Sequence, residues 1–301
     1  MMRFPKSRVS PWPGQVLSPT TRTLVVLAHP DDEIACGGLA QRLPLTARFL
    51  WVTDGDGLAE AAGMRRPEYA SARRLESEAA MATLGITPDR LRFLGNSEVE
   101  IFETLARCAA KPNARHDVFE HARSLGRQIT AEVLAFRPEV VFTVGWQGAH
   151  PIHDLVHLLV RASLERLPDT QLFEMPLFDP WGVVPLRFPP WHDGPVHEVR
   201  LTPDEAAAKR RMTRCWPSQD VVLKPIETVV AVAGRIAGLA GHRFDLDSLL
   251  AIERFAPVPR DRNYVKSPHG MEFLDYPLDR WQGARISHSA SIAPIAQALA
   301  S

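Results

Sequence analysis

Cysteine is scarce in this 301-residue chain: Cys36, Cys108 and Cys215 stand far apart, odd in number and without a C-x-x-C pair. That spacing excludes a disulfide framework and a cysteine metal knot, and a reducing cytoplasm is the expected compartment. Charge of one sign is lacking too, since Lys plus Arg and Asp plus Glu each total 35. A balanced chain has no electrostatic footprint for nucleic acid or an anionic membrane, so a small neutral substrate is the better expectation. Long apolar runs are also missing. The most apolar late stretch, Val229 to Ala240, is too short to cross a bilayer and contains Arg235. Residues 1–22 hold Pro5, Pro11, Pro13 and Pro19 but no apolar core of signal-peptide length, and read as an extended arm. What is present, 45% hydrophobic residues, supports a substantial core in one large or two small domains.

The most informative stretch is Thr23 to Gly38, TLVVLAHPDDEIACGG. Leu24 to Leu27 form a continuously apolar, partly β-branched run of the kind found in strands buried on both faces of a parallel sheet. Pro30 disfavours a helical His29 and is tolerated in a first helical turn, so a helix is expected to begin between Pro30 and Glu33 and to run to Leu43. Gly37 and Gly38 weaken that helix and point to close backbone packing. His29, Asp31, Asp32 and Glu33 are residue types that bind zinc or move protons. They also suit a solvated acidic first turn, and two ligands alone do not make a site. A second strand, turn and helix follows at Pro138 to Val144, where Gly148, Ala149, His150, Pro151, Ile152 and His153 precede a helix over 154–167.

Two motifs in this order, A-H-P-D-D-E at Ala28 to Glu33 and His150-Pro-Ile-His153, resemble the signatures of the LmbE-like (PIG-L) family of zinc-dependent N-acetylglucosamine deacetylases. The resemblance covers roughly residues 23–255. It implies an α/β fold with a Rossmann-like, mainly parallel sheet and helices on both faces, extended by further α+β elements at the C-terminus. It further implies Zn²⁺ held by His29, Asp32 and His153 with a place left for water, Asp31 as general base, and His150 steadying the oxyanion or protonating the leaving amine as an imidazolium. The TDG sequence at Thr53 to Gly55 resembles a loop beside the family's active site, which makes Asp54 a substrate-contact candidate. Arg73 and Glu76 fit the family's R-x-x-E, implying that Arg73 grips substrate hydroxyls or a phosphate, although Arg74 and Glu78 offer a rival register. Lys209, Ser218, Gln219, Glu253 and Phe255 resemble later family segments. Ile152 departs from the family's H-P-D-H, and Gly148 stands where some members carry a tyrosine.

The expected organisation is an arm (1–22), a deacetylase domain (23–255) and a C-terminal extension (256–301) packed on it. The substrate would be an amino-sugar conjugate, with no nucleic-acid or membrane partner and homo-oligomerisation left open. Residues 97–115 show no clear period and read as a variable loop over the site. The Pro- and Trp-rich stretch from Pro176 to Trp191 reads as a packed loop or a sugar platform. Two rival readings remain. His153, Asp154 and His157 approach the H-E-x-x-H helix of metalloproteases, and Ile152 with the missing tyrosine would also suit a silent metal- or sugar-binding module.

Overall fold

In a computed structural model the described residues are 9–11, 18–110, 115–178, 185–189, 192, 194–239, 245–270, 276, 280–281 and 284–300. In chain order the strands are β1 (Val9–Pro11), β2 (Thr23–Leu27), β3 (Arg48–Thr53), β4 (Leu91–Asn96), β5 (Val140–Val144), β6 (Gln171–Met175), β7 (Val196–Arg200), β8 (Ile252–Pro257), β9 (Arg280–Trp281) and β10 (Ala284–Arg285). The helices are α1 (Gly37–Arg42), α2 (Arg66–Thr83), α3 (Glu98–Ala110), α4 (Arg115–Phe136), α5 (Pro151–Ser163), α6 (Pro203–Met212), α7 (Asp220–Leu239), α8 (Leu246–Leu250) and α9 (Ala293–Ala300).

Eight strands form one sheet in the order β1-β7-β8-β6-β5-β2-β3-β4, and β9 pairs with β10 apart from it. Neighbours are parallel from β6 through β5, β2 and β3 to β4, while β8 runs antiparallel to β6 and β7. The central strands β2 and β5 are buried along their whole length, as their apolar runs require. From β2 the chain moves outward through β3 to β4, then returns to place β5 on β2's other side. The strand order therefore reverses between β2 and β5, and open α/β sheets bind ligands beyond the carboxyl ends of the strands at such a point. The loops that follow β2 and β5 carry the two sequence motifs.

Helices cover both faces in two packed groups, α3, α4, α5 and α9 in one, α1, α2, α6, α7 and α8 in the other. The mainly parallel α/β architecture agrees with expectation. Three local features differ. Residues 98–110 form helix α3 instead of a loop, capped by Ser97 Oγ, which accepts the Glu100 N–H. The helix expected over 33–43 is split into a 3₁₀ turn (Asp32–Ala35) and α1. Gly37 and Gly38 do serve close packing there: a Cβ on Gly37 would lie 2.8 Å from Met212 Cε, and one on Gly38 would collide with Leu201. Within the N-terminal arm, Val9–Pro11 is an edge strand parallel to β7.

The C-terminal residues fasten onto the sheet and its helices. Arg262 donates both guanidinium amines to the buried Glu174 carboxylate, at 2.6 and 2.8 Å, and Ser291 Oγ bonds the Leu105 carbonyl. No helix among the described residues is long and apolar enough to cross a membrane.

Candidate metal centre and its cavity

After β2 the chain folds back on itself through Asp32, whose Oδ2 accepts the N–H groups of Ala28 (2.9 Å) and His29 (2.8 Å). The turn forces Asp31 to φ 111°, a conformation that costs a non-glycine residue of order 1–3 kcal/mol and must be held from outside. Glu33 does the holding. Its buried carboxylate accepts the Asp31 N–H (2.9 Å), Trp51 Nε1 (3.0 Å), Trp216 Nε1 (3.2 Å) and Ser77 Oγ (2.6 Å). Arg73, reaching in from α2, bonds the Pro30 carbonyl and lies 3.3 Å from Asp31 Oδ1. Gly55 makes room for it: at φ 68° a Cβ there would sit 3.0 Å from the guanidinium.

The loop after β5 is shaped by Asp154, which accepts the N–H groups of Gln147 (3.1 Å) and Gly148 (3.1 Å) and the Tyr276 hydroxyl (2.8 Å). His150 then precedes Pro151, the first residue of α5, and His153 follows in the first turn. Both imidazoles thus face the loop from β2. Ile152 is fully buried among apolar residues.

His29 Nδ1 lies 3.1 Å from His153 Nε2, which lies 3.3 Å from Asp32 Oδ1. Three N/O ligands at zinc's usual 2.0–2.2 Å in tetrahedral array stand about 3.3–3.6 Å apart, so both spacings lie within a few tenths of an ångström of a divalent-cation site. Nitrogens of His29, His150 and His153 all fall within 4.8 Å of one another, with His150 on the outer side. Glu98, at the start of α3, points Oε1 at His29 Nε2 (3.3 Å) and towards His150 Nε2 (3.8 Å), while its Oε2 accepts the Gly57 N–H (3.1 Å).

The buried carboxylates draw positive charge into the site. Burial alone would depress the His29 imidazolium, but Glu98 and Asp32 outweigh it and raise it to about 10. Burial likewise opposes ionised Glu98, yet His29, His150 and Arg73 hold it at about 2; Asp32 is held well below the usual carboxylate range by His153 and His29 against the same penalty. Burial pushes Asp31 up to about 7, Arg73 pulling it down and Asp32 and Glu33 pushing it further up. His150 is driven well below the ordinary histidine value by burial and by the neighbouring His153 and His29. This reverses the expected imidazolium.

These groups line a cavity of about 450 Å³ whose walls also include Leu58, Phe102, Phe178, Gln219 and Val222. His29, Asp31, Asp32, Arg73, His150 and His153 are brought together in it. Asp54 is not among its lining residues. The Asp54 carboxylate accepts the Asp56 N–H (3.3 Å), and burial followed by the neighbouring Asp56 raises it to about 6. It shapes the loop, while Asp56 accepts the Val99 N–H (3.0 Å) and Ser97 Oγ (2.7 Å) and so fastens the start of α3. The register on α2 is that of Arg73 and Glu76, since Glu76 holds the Ser218 N–H and hydroxyl, whereas Arg74 and Glu78 pair at the surface. His157 is turned away from the metal centre: its Nδ1 meets the Val144 carbonyl (2.9 Å) and its Nε2 the Tyr264 hydroxyl (3.0 Å). The metalloprotease reading loses its second histidine. Glu98 was missed because 97–115 read as loop; the S-x-x-E of Ser97 to Glu100 was the available signal. Trp181 and Trp191 lie outside the described residues.

Residues 24–164 match the family model described as PIG-L, GlcNAc-PI de-N-acetylase. No curated protein matches the chain by sequence. Among solved structures, a deacetylase from the biosynthesis pathway of teicoplanin is 18% identical with a TM-score of 0.56, covering 81% of this chain and 100% of its own. An A40926 pseudoaglycone deacetylase gives 18%, 0.54, 81% and 99%. The N,N'-diacetylchitobiose deacetylase from Pyrococcus horikoshii gives 19%, 0.50, 82% and 90%. At this identity they establish a shared fold.

Proposed function

Because residues 24–164 carry a domain of the PIG-L family, we propose that this chain is a metal-dependent N-deacetylase acting on an N-acetylglucosamine-containing small molecule. The observation that carries the reading is the convergence of His29 Nδ1, His153 Nε2 and Asp32 Oδ1 at 3.1 and 3.3 Å on the wall of a sugar-sized cavity. The structural neighbours described as deacetylases support it at the level of fold.

Zinc, held by His29, Asp32 and His153, would supply the Lewis acidity that acidifies water and polarises an amide carbonyl. Asp31 acts as the general base. It faces the cavity, is anchored by Arg73 and Glu33, and is not required as a ligand. It accepts the proton of the attacking water and passes it to the amine nitrogen as the carbon–nitrogen bond breaks, leaving acetate and a free amine. His150 Nδ1 is buried without a hydrogen-bond partner among the described residues and, in the neutral tautomer protonated on that nitrogen, donates to the carbonyl oxygen as negative charge develops there. Arg73 Nε, likewise buried and unpartnered, is available to a sugar hydroxyl. Glu98, itself on the cavity wall, orients His29 through Nε2, a service the Ile152 side chain cannot give.

The test is acetate release from N-acetylglucosamine and a panel of its conjugates by zinc-loaded and chelator-treated protein. Acetate and amine are expected in equal amounts, lost on chelation and in Asp31→Asn, which should retain its metal. Zinc-loaded protein that releases no acetate from any member of the panel would instead be a binding module.

A further inference from the structure

A second cavity, of about 140 Å³, adjoins the catalytic one and shares Asp31, Asp32, Phe178 and Val222 with it. Its character is different. Most of the wall is apolar, supplied by Leu177 and Leu186, by Trp216, and by Leu223, Ile226 and Leu249 from α7 and α8. The one polar atom of Trp216 is already used, its Nε1 donating to Glu33, so the ring offers only its apolar faces. The polar residues on the wall are Asp31 and Asp32, shared with the catalytic cavity, and Thr213 and Glu227; a water needs two to four polar partners to settle in such a place, and the apolar remainder of the wall offers none. An apolar cavity of about 150 Å³ stays dry and accepts a ligand of six carbons such as benzene. An acetyl methyl cannot fill this space.

We propose that this cavity binds an unbranched apolar chain of about six carbons carried by the substrate, either as a longer N-acyl group or as an alkyl aglycone. The proposal rests on the deacetylase reading for the sugar amide and adds the lipophilic arm. Each methylene moved from water into the cavity raises transition-state affinity about four-fold, so four methylenes beyond acetyl give an increase on the order of 100-fold in kcat/KM.

The experiment compares kcat/KM for N-acetylglucosamine, N-hexanoylglucosamine and the hexyl glycoside of N-acetylglucosamine. It uses the wild type and Ile226→Trp, a substitution on the half-buried face of α7 that fills the cavity at a residue outside the lining of the catalytic one. A gain for the hexanoyl substrate assigns the cavity to the acyl group, and a gain for the hexyl glycoside assigns it to the aglycone. Either gain must fall at least ten-fold in Ile226→Trp while turnover of N-acetylglucosamine is kept. Leu223→Ala, which enlarges the cavity, should move the optimum to a longer chain and guards against misfolding of the first variant. No gain with either substrate, or a gain untouched by both variants, overturns the proposal. Should no sugar amide be hydrolysed at all, hexanamide binding to the metal-free protein decides it by calorimetry. Binding that Ile226→Trp abolishes supports the apolar site although the deacetylase reading has failed, and absence of binding in the wild type overturns it.

Discussion

At the scale of single residues, Glu98 carries the most weight among the groups the motifs do not contain. It stands between His29 and His150, at 3.3 and 3.8 Å, and its carboxylate accepts the Gly57 N–H, a contact that any Cβ on residue 57 would disturb by lying 2.9 Å from Glu98 Cδ. Carboxylates that orient metal-binding histidines are worth about 10 to 100-fold in metal affinity. Glu98→Gln should weaken zinc binding by that order in a chelator competition and lower turnover, and an unchanged affinity would reduce Glu98 to a loop anchor. Asp31 and Arg73 were readable in the sequence because family motifs contain them. Glu98 was not, because its role depends on Asp56 pinning the start of α3, a contact across 41–43 residues of chain that no local periodicity records. The same limit applies to Asp54, where a matching tripeptide carries a turn-forming carboxylate.

At the scale of elements, the loop after β2 depends on how α1 is anchored. Glu253 on β8 accepts the N–H groups of Gly38 and Leu39, both at 2.6 Å, and pairs with the fully buried Lys209 of α6, also at 2.6 Å. An anion at a helix N-terminus is favoured by the unpaired amides, and here it ties the helix behind the metal centre to two distant elements. Removing one member of such a buried pair leaves the other uncompensated. Lys209→Met should cost about 3–5 kcal/mol in urea denaturation, and the double variant Lys209→Met/Glu253→Gln should recover part of it. A loss below about 1 kcal/mol in the single variant would contradict the anchoring role. Lys209 and Glu253 were visible as family-like positions, but their partnership was not, since sequence spacing says nothing of which helix end a strand carboxylate will meet.

At the scale of the whole molecule, the mainly parallel α/β architecture was legible from the buried strands and intervening helices, whereas the strand order, with β8 antiparallel between β6 and β7, was not. The reversal between β2 and β5 explains why motifs more than a hundred residues apart meet. The pH dependence of the folded state is a further consequence. Burial holds His157 neutral and lowers it to about 4, with Glu174 opposing and Arg262 assisting. Below its unfolded value of 6.5 the unfolded chain takes up a proton that the folded chain refuses until about pH 4. Stability from this group is therefore complete above pH 6.5 and falls on acidification by about 1.4 kcal/mol per pH unit down to about 4. Between pH 7 and 5 the wild type should lose about 2 kcal/mol more than His157→Gln, measured by urea denaturation, and equal losses would show that His157 does not titrate on unfolding.

The central claim is that the histidines and carboxylate meeting at the switch point form the metal site and that His157 stands outside it. Metal analysis of His29→Ala, Asp32→Ala, His153→Ala and His157→Ala, each purified from zinc-supplemented medium, tests it directly. Loss of one of three protein ligands should leave the first three variants nearly empty, while His157→Ala should retain about one zinc per chain. An empty His157→Ala alongside a fully loaded His29→Ala would contradict the account.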